Sequence, residues 1–145
     1  MPVLLLHFQS LSKDVSLPHK KHFKKWASAT LRVDTEVTIR IVDEAEGRAL
    51  NLAYRGRDYA TNVLTFALTE TPHLIGDIVI CAPVVASEAL TQNKTLMAHY
   101  AHLTVHGILH LHGYDHENEY QAALMEGLEI SILQKLGYAN PYFVS

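Results

Sequence analysis

Between Asn62 and Leu136 the chain places two strand patterns in succession and then three helical patterns with no strand among them. That order cannot wind a sheet by alternating strands and helices, so it predicts an α+β fold: a small mixed sheet of about four strands packed with helices. The strands read as Asn62 to Ala67 and Asp77 to Cys81, with Thr69 to Gly76 as a connection. Pro83 starts a helix to about Gln92. A longer helix runs from about Thr95 to His112 and stops at Gly113, a residue suited to a C-terminal cap. The last runs from Glu117 to Leu136, with Ala123, Leu124, Leu128, Ile132 and Leu136 inward and Gly137 as its end.

The first half supplies the other two strands. Val3 to Phe8 is one, and Val37 to Val42 alternates, with Thr38 and Arg40 on one face and Val37, Ile39 and Ile41 on the other. Between them Pro18 marks a helix first turn, and Phe23, Trp26, Ala27 and Leu31 recur at helical spacing. Asp43 caps a helix to about Tyr54, predicted to bury Ala45, Ala49, Leu52 and Ala53, and Arg55 to Thr61 follows as a polar loop. No repeat or Gly/Ser/Pro linker interrupts the 145 residues, so residues 1–145 read as one domain.

Composition narrows the class. Forty-eight per cent hydrophobic and 19% charged residues are globular usage, and the single cysteine, Cys81, excludes a disulfide framework or cysteine-rich zinc site. Val3 to Leu6 is too short an apolar run for a signal core or a membrane span, which points to a soluble protein of the cytoplasm. The net charge of −3 hides an asymmetry. Residues 1–60 carry ten Lys and Arg against seven acids, a net of +3, and residues 61–145 carry two against eight, a net of −6. Lys20, Lys21, Lys24 and Lys25 read as the solvated side of a helix or as a local phosphate-attracting face.

Six of the ten histidines fall between His99 and His116. His106 and His110, four apart on a helix, can aim two imidazoles at one ion. A catalytic zinc takes three protein ligands and keeps a position for water. His102 continues the same face, but eight residues of rise put it about 12 Å from His110. Gly113 ends the helix and permits a left-handed turn, so His116 can swing back as the third ligand. This spacing, with glycine seven residues after the first histidine, is that of metzincin proteases. Their general-base Glu follows the first histidine, where this chain has Gly107, so a water-activating site is supported and peptide hydrolysis by that base is not. His112 points away from the pair. His99 and His102 read as packing or supporting groups, and Asp115 either orients a histidine or finishes the turn.

His106-Gly107-x-Leu109-His110-Leu111-x-Gly113-Tyr114-Asp115-His116 resembles the H-G-x-L-H-L-x-G-Y-D-H signature of the YbeY family, bacterial rRNA maturation factors and metal-dependent endoribonucleases. Tyr54 to Phe66 is similar to the family's Y-R-x-x-D-x-x-T-[DN]-V-L-S-F, with Thr65 in place of Ser, and Gly76 to Ile80 resembles its G-D-I-x-I strand. The resemblance implies an α+β fold, a zinc held by His106, His110 and His116, and Arg55 working with the metal at the substrate phosphate. It implies cleavage of single-stranded RNA, a role in 3′-end processing of small-subunit ribosomal RNA, and ribosome quality control. Small-subunit ribosome components and an assembly GTPase are the partners it implies. The short connection from Ala67 to Gly76 trims a loop beside the expected cleft.

The chemistry agrees with that picture. Zinc on neutral imidazoles acidifies water and polarises a phosphoryl oxygen, while nickel or another divalent metal would also suit three nitrogens. Arg55 offers a planar, permanently charged fork to a phosphodiester, unless a loop salt bridge to Asp58 occupies it. Arg57 and Arg40 are weaker phosphate candidates. Two alternatives stay open: a ribosome-assembly or RNA-binding factor with little catalysis, and a metzincin-like zinc hydrolase of another substrate.

Overall fold

The computed structural model describes residues 1–10, 16–69 and 73–142. Nine elements follow one another: β1 (Leu4–Ser10), α1 (Lys20–Thr30), β2 (Thr35–Val42), α2 (Glu44–Arg55), β3 (Val63–Thr69), β4 (Leu74–Cys81), α3 (Ala82–Thr91), α4 (Leu96–Leu111) and α5 (Glu119–Lys135). The described strands form one mixed sheet in the order β1-β2-β4-β3. β1, β2 and β4 run parallel, and β3 closes the edge antiparallel to β4 with a bulge between Ala67 and Thr69. The expected α+β architecture is the observed one. Part of the Thr69 to Gly76 connection, residues 70–72, lies outside the described residues.

The sheet has two unequal faces. Val37, Ile39 and Ile41, the face predicted by alternation, are fully buried with Ile78, Ile80, Phe23, Trp26, Tyr100, Ile108 and Leu109 in the main core. The opposite face carries a small cluster of Val42, Leu64, Val79 and Cys81 beneath α2. α4 lies on the main face and packs against α1, α3, α5, β3 and β4. Two glycines let it lie close. A Cβ on Gly107 would stand 3.0 Å from Ile78 Cδ1, and a Cβ on Gly76 would stand 2.9 Å from both Leu111 Cδ2 and the Phe66 carbonyl oxygen. Thr95 caps α4 by accepting from the Ala98 amide, and Gly113 past its end has φ 96°.

Several expected boundaries and faces shift. Pro18 precedes the cap residue His19, so α1 begins at Lys20; its four lysines are exposed. β4 begins at Leu74, three residues ahead of the expected Asp77, because β2 pairs with it along its whole length. On α2 the four residues predicted inward, Ala45, Ala49, Leu52 and Ala53, are exposed. Gly47 and Asn51 are buried instead. Gly47 allows close approach to Cys81, and the Asn51 amide donates to the Tyr59 carbonyl at 2.7 Å, holding the following loop. On α5 Ala123 and Leu124 face solvent, and the buried stripe is Met125, Glu129, Ile132 and Leu133.

Candidate metal centre

α4 presents its histidines as a row along one side. The His106 and His110 rings stand 6.1 Å apart by centroid, one turn of helix. The turn at Gly113 brings His116 back to 5.7 Å from His106 and 5.9 Å from His110. The structure thus gathers the three predicted ligands into one triangle. His106 and His110 are half-buried and His116 is exposed. Each helical member is held through Nδ1: His106 Nδ1 is 2.9 Å from Glu129 Oε1, and His110 Nδ1 is 2.9 Å from the Tyr114 carbonyl. A carbonyl and a carboxylate only accept, so both rings donate from Nδ1, and Nε2 is the nitrogen left for the triangle. Asp115 accepts from the His116 amide at 2.7 Å and lies 3.4 Å from its Nδ1, so it finishes the turn and flanks the ring at once.

Glu129 is the residue that sequence reasoning missed. Its side chain is 1% exposed, yet it holds three partners. Oε1 accepts from His106 Nδ1 and from His102 Nε2 at 3.0 Å, while Oε2 accepts from the Tyr142 hydroxyl at 2.8 Å. Burial pushes this carboxyl up, but the hydrogen bonds from His102 and His106 and the electrostatic pull of those two rings outweigh it and hold it at about 2. Burial and the Glu129 charge together push the Tyr142 phenol up, so it remains a donor. Further along α4, His99 Nε2 bonds Glu88 Oε1 at 2.9 Å, an oxygen that also accepts from Asn62. His112 is turned aside as predicted, with Nδ1 on the Ile108 carbonyl and Nε2 accepting from the Arg32 amide. A cavity of about 840 Å³ opens beside His102, with Asn62, Lys94, His99, Asn140 and Tyr142 among its walls.

The candidate arginines belong to other elements. Arg55 is the last residue of α2, exposed, and followed by Gly56 in the left-handed region at φ 68°. Asp58 does not occupy it: that carboxylate takes both arms of the Arg48 fork, at 2.7 and 3.0 Å. No ion pair engages Arg55 among the described residues. Its neighbour Tyr54 stacks at 5.0 Å on Phe66 of the edge strand β3, which packs against α4 on its other side. Arg57 donates to the Tyr59 hydroxyl at 3.2 Å. Arg40, on the α2 side of the sheet, is tied to Glu46 at 2.6 Å.

The three signature blocks therefore line one molecule, with the third forming the histidine triangle. A family model described as Endoribonuclease YbeY matches residues 7–137, which include all three. The chain belongs to this family. A YbeY endoribonuclease from Methylobacillus flagellatus is 65% identical over 98% of this chain and 95% of its own length. Another, from Nitrosomonas europaea, is 50% identical over 97% of this chain and 86% of its own. The solution structure of TM1509 from Thermotoga maritima superposes with a TM-score of 0.61 at 27% identity, covering 92% of both chains.

The donors of this YbeY-family chain suit a divalent ion in kind: three imidazoles, two of them with Nε2 left without a hydrogen bond among the described residues. In spacing they stand slightly open. Tetrahedral zinc with nitrogens about 2.1 Å away would bring ring centroids to roughly 5 Å. The observed separations are wider, and among the described residues no group of three His, Cys, Asp or Glu side chains is poised to hold an ion as it stands. His116, exposed on the turn, has the greatest freedom to close the triangle. No described helix is long and apolar enough to cross a membrane.

Proposed function

We propose that this chain is a metal-dependent endoribonuclease of the cytoplasm that cuts single-stranded RNA during ribosomal RNA maturation, including 3′-end processing of the small-subunit RNA and ribosome quality control. The observation that carries this reading is the pair of Nδ1 bonds on His106 and His110, which leaves two Nε2 lone pairs converging with His116. Zinc is the proposed ion, held by His106, His110 and His116, and nickel would fit the same nitrogens. When bound, such an ion supplies Lewis-acid polarisation of a phosphoryl oxygen and lowers the pKa of water. This chain's own part is to hold the two rings in one tautomer and to bring Arg55 to the phosphate as a permanent positive fork. Arg57 and Arg40 would add attraction for the RNA backbone, Arg40 the less so because Glu46 already neutralises it. Small-subunit ribosome components and an assembly GTPase are the proposed partners.

Gly107 argues against a peptidase. The position where a metzincin keeps its carboxylate is glycine here and packed onto Ile78, so a side chain there would crowd the sheet. The reading of an assembly or RNA-binding factor with little catalysis has one observation in its favour: Glu129, buried beside the triangle, is fully committed to His102, His106 and Tyr142 and is no free base. Metal analysis of the purified protein, with cleavage of a single-stranded RNA by wild type and His110→Ala, separates the two. One equivalent of zinc and cleavage in wild type, both lost in His110→Ala, is the expected outcome. Stoichiometric zinc without cleavage favours the assembly factor, and undiminished cleavage by a metal-free His110→Ala protein refutes the proposal.

A further inference from the structure

We propose that Glu129 is the positioning residue of the site: it locks His106 with the proton on Nδ1 and thereby aims Nε2 at the triangle. This inference rests on the metal reading above and adds a residue that lies thirteen positions beyond the last signature histidine, on a different helix. The geometry fixes which atoms donate. Oε1 faces two imidazole nitrogens, His106 Nδ1 at 2.9 Å and His102 Nε2 at 3.0 Å, and Oε2 faces the Tyr142 hydroxyl at 2.8 Å. All three must donate, because the carboxylate has nothing to give. In their neutral forms His106 and His102 are thus opposite tautomers through one oxygen atom. His102 spends its Nε2 on the carboxylate, and its Nδ1 is buried without a hydrogen-bond partner. His106 spends Nδ1 and is left with Nε2 facing His110 and His116. Tyr142 holds the carboxylate from its far side, so α5, α4 and the segment after α5 fix one ring between them.

A histidine ligand whose second nitrogen donates to a carboxylate is both oriented and made more basic, and loss of such a partner costs about 10–100-fold in metal affinity. A carboxylate that merely filled the core would change stability and leave the affinity of the folded protein alone. The test uses Glu129→Leu, which keeps volume but accepts nothing, and Glu129→Gln, which keeps one accepting oxygen. Zinc affinity is measured by competition with a chelator, alongside wild type and His110→Ala, at a temperature where unfolding curves show each protein folded. Glu129→Leu is expected to bind zinc about 10–100-fold more weakly than wild type, with Glu129→Gln in between. Should Glu129→Leu not fold, nitrogen-15 spectra of metal-free wild type decide, with His106 protonated at Nδ1 and His102 at Nε2.

A folded Glu129→Leu protein that binds zinc as wild type does overturns the inference and leaves the metal reading standing. Protonation of His106 at Nε2 in wild type overturns it too. If wild type takes up no more zinc than His110→Ala, the metal reading fails and this inference falls with it.

Discussion

One helix carries two kinds of histidine, and the difference lies in which ring nitrogen is spent. His99 and His102, toward the start of α4, are 2% and 9% exposed and give Nε2 to the buried side of a glutamate. His106 and His110, one and two turns on, give Nδ1 to Glu129 and to the Tyr114 carbonyl and stay half-exposed. The residue type is the same and the helical face nearly so. The partner decides which nitrogen an imidazole has left to offer: an Nδ1 bond leaves Nε2, at the tip of the ring, for whatever lies outward.

The sharpest way to break this comparison is to truncate one member of each pair. His106→Ala is expected to abolish stoichiometric zinc uptake and to lower RNA cleavage by more than the roughly 100-fold ceiling of a supporting group. His99→Ala should leave zinc affinity within about twofold while destabilising the fold by on the order of 2 kcal/mol, since a buried ring is lost and Glu88 is left short of a donor. Zinc titration and urea unfolding of both proteins read the contrast. Equal loss of zinc by the two variants would erase the distinction.

A smaller effect is expected where α4 meets the sheet beneath His106 and His110. Gly107→Ala sets a methyl 3.0 Å from Ile78 Cδ1 in a fully packed core, which should cost about 1–3 kcal/mol in urea unfolding. Because that methyl pushes the turn carrying His106 and His110 off β4, zinc affinity should fall as well. Unchanged affinity at lowered stability would mean the ligands are not indexed by this contact.

The mildest signature is in pH. Burial lowers the His99 pKa below its ordinary value, outweighing the opposing pull of Glu88, with Lys94 and His102 adding to the depression. The unfolded chain then binds more protons than the folded one, so this contribution is intact above about pH 6.5 and stability falls as pH drops below it. The half-buried His112 acts in the same direction. Replacing His99 with Gln should flatten the acid side of a urea-midpoint profile relative to the variant's own value at pH 8. An unchanged acid limb would remove His99 as its source.

The sequence spelled out the parts whose periodicity and packing coincide. The alternation of Val37, Ile39 and Ile41, the spacing of Phe23, Trp26 and Ala27, and the stop at Gly113 all lead to the observed elements, and the three histidines meet as their spacing requires. It misled where a helix is held by something other than an apolar stripe. α2 docks through Gly47 and Asn51, a close approach and a side-chain amide, so the alanines chosen by hydrophobicity face solvent. α5 was phased on Ala123 and Leu124 because hydrophobicity alone rejects a glutamate from the interior. The Met125, Ile132, Leu133 stripe encloses Glu129, and that acid inside an apolar pattern was the available signal. Its partners come from α4 and from Tyr142, and no local rule connects them. Arg55 could be placed at a helix end from sequence, whereas its freedom from Asp58 depended on Arg48, seven residues earlier on the same helix.

The contact between Gly107 and Ile78 also bears on what this scaffold can become. Adding a carboxylate after the first histidine, the change that would imitate a metzincin, means driving a side chain into a fully buried isoleucine of β4. Ile78 would have to give way or shrink, and a smaller residue there leaves a void under His106 and His110 with nothing yet to fill it. Each step alone is a loss. A lineage built on this close helix-to-sheet seam is therefore walled off from that chemistry by two coupled substitutions, although the three histidines already stand at the right spacing for it.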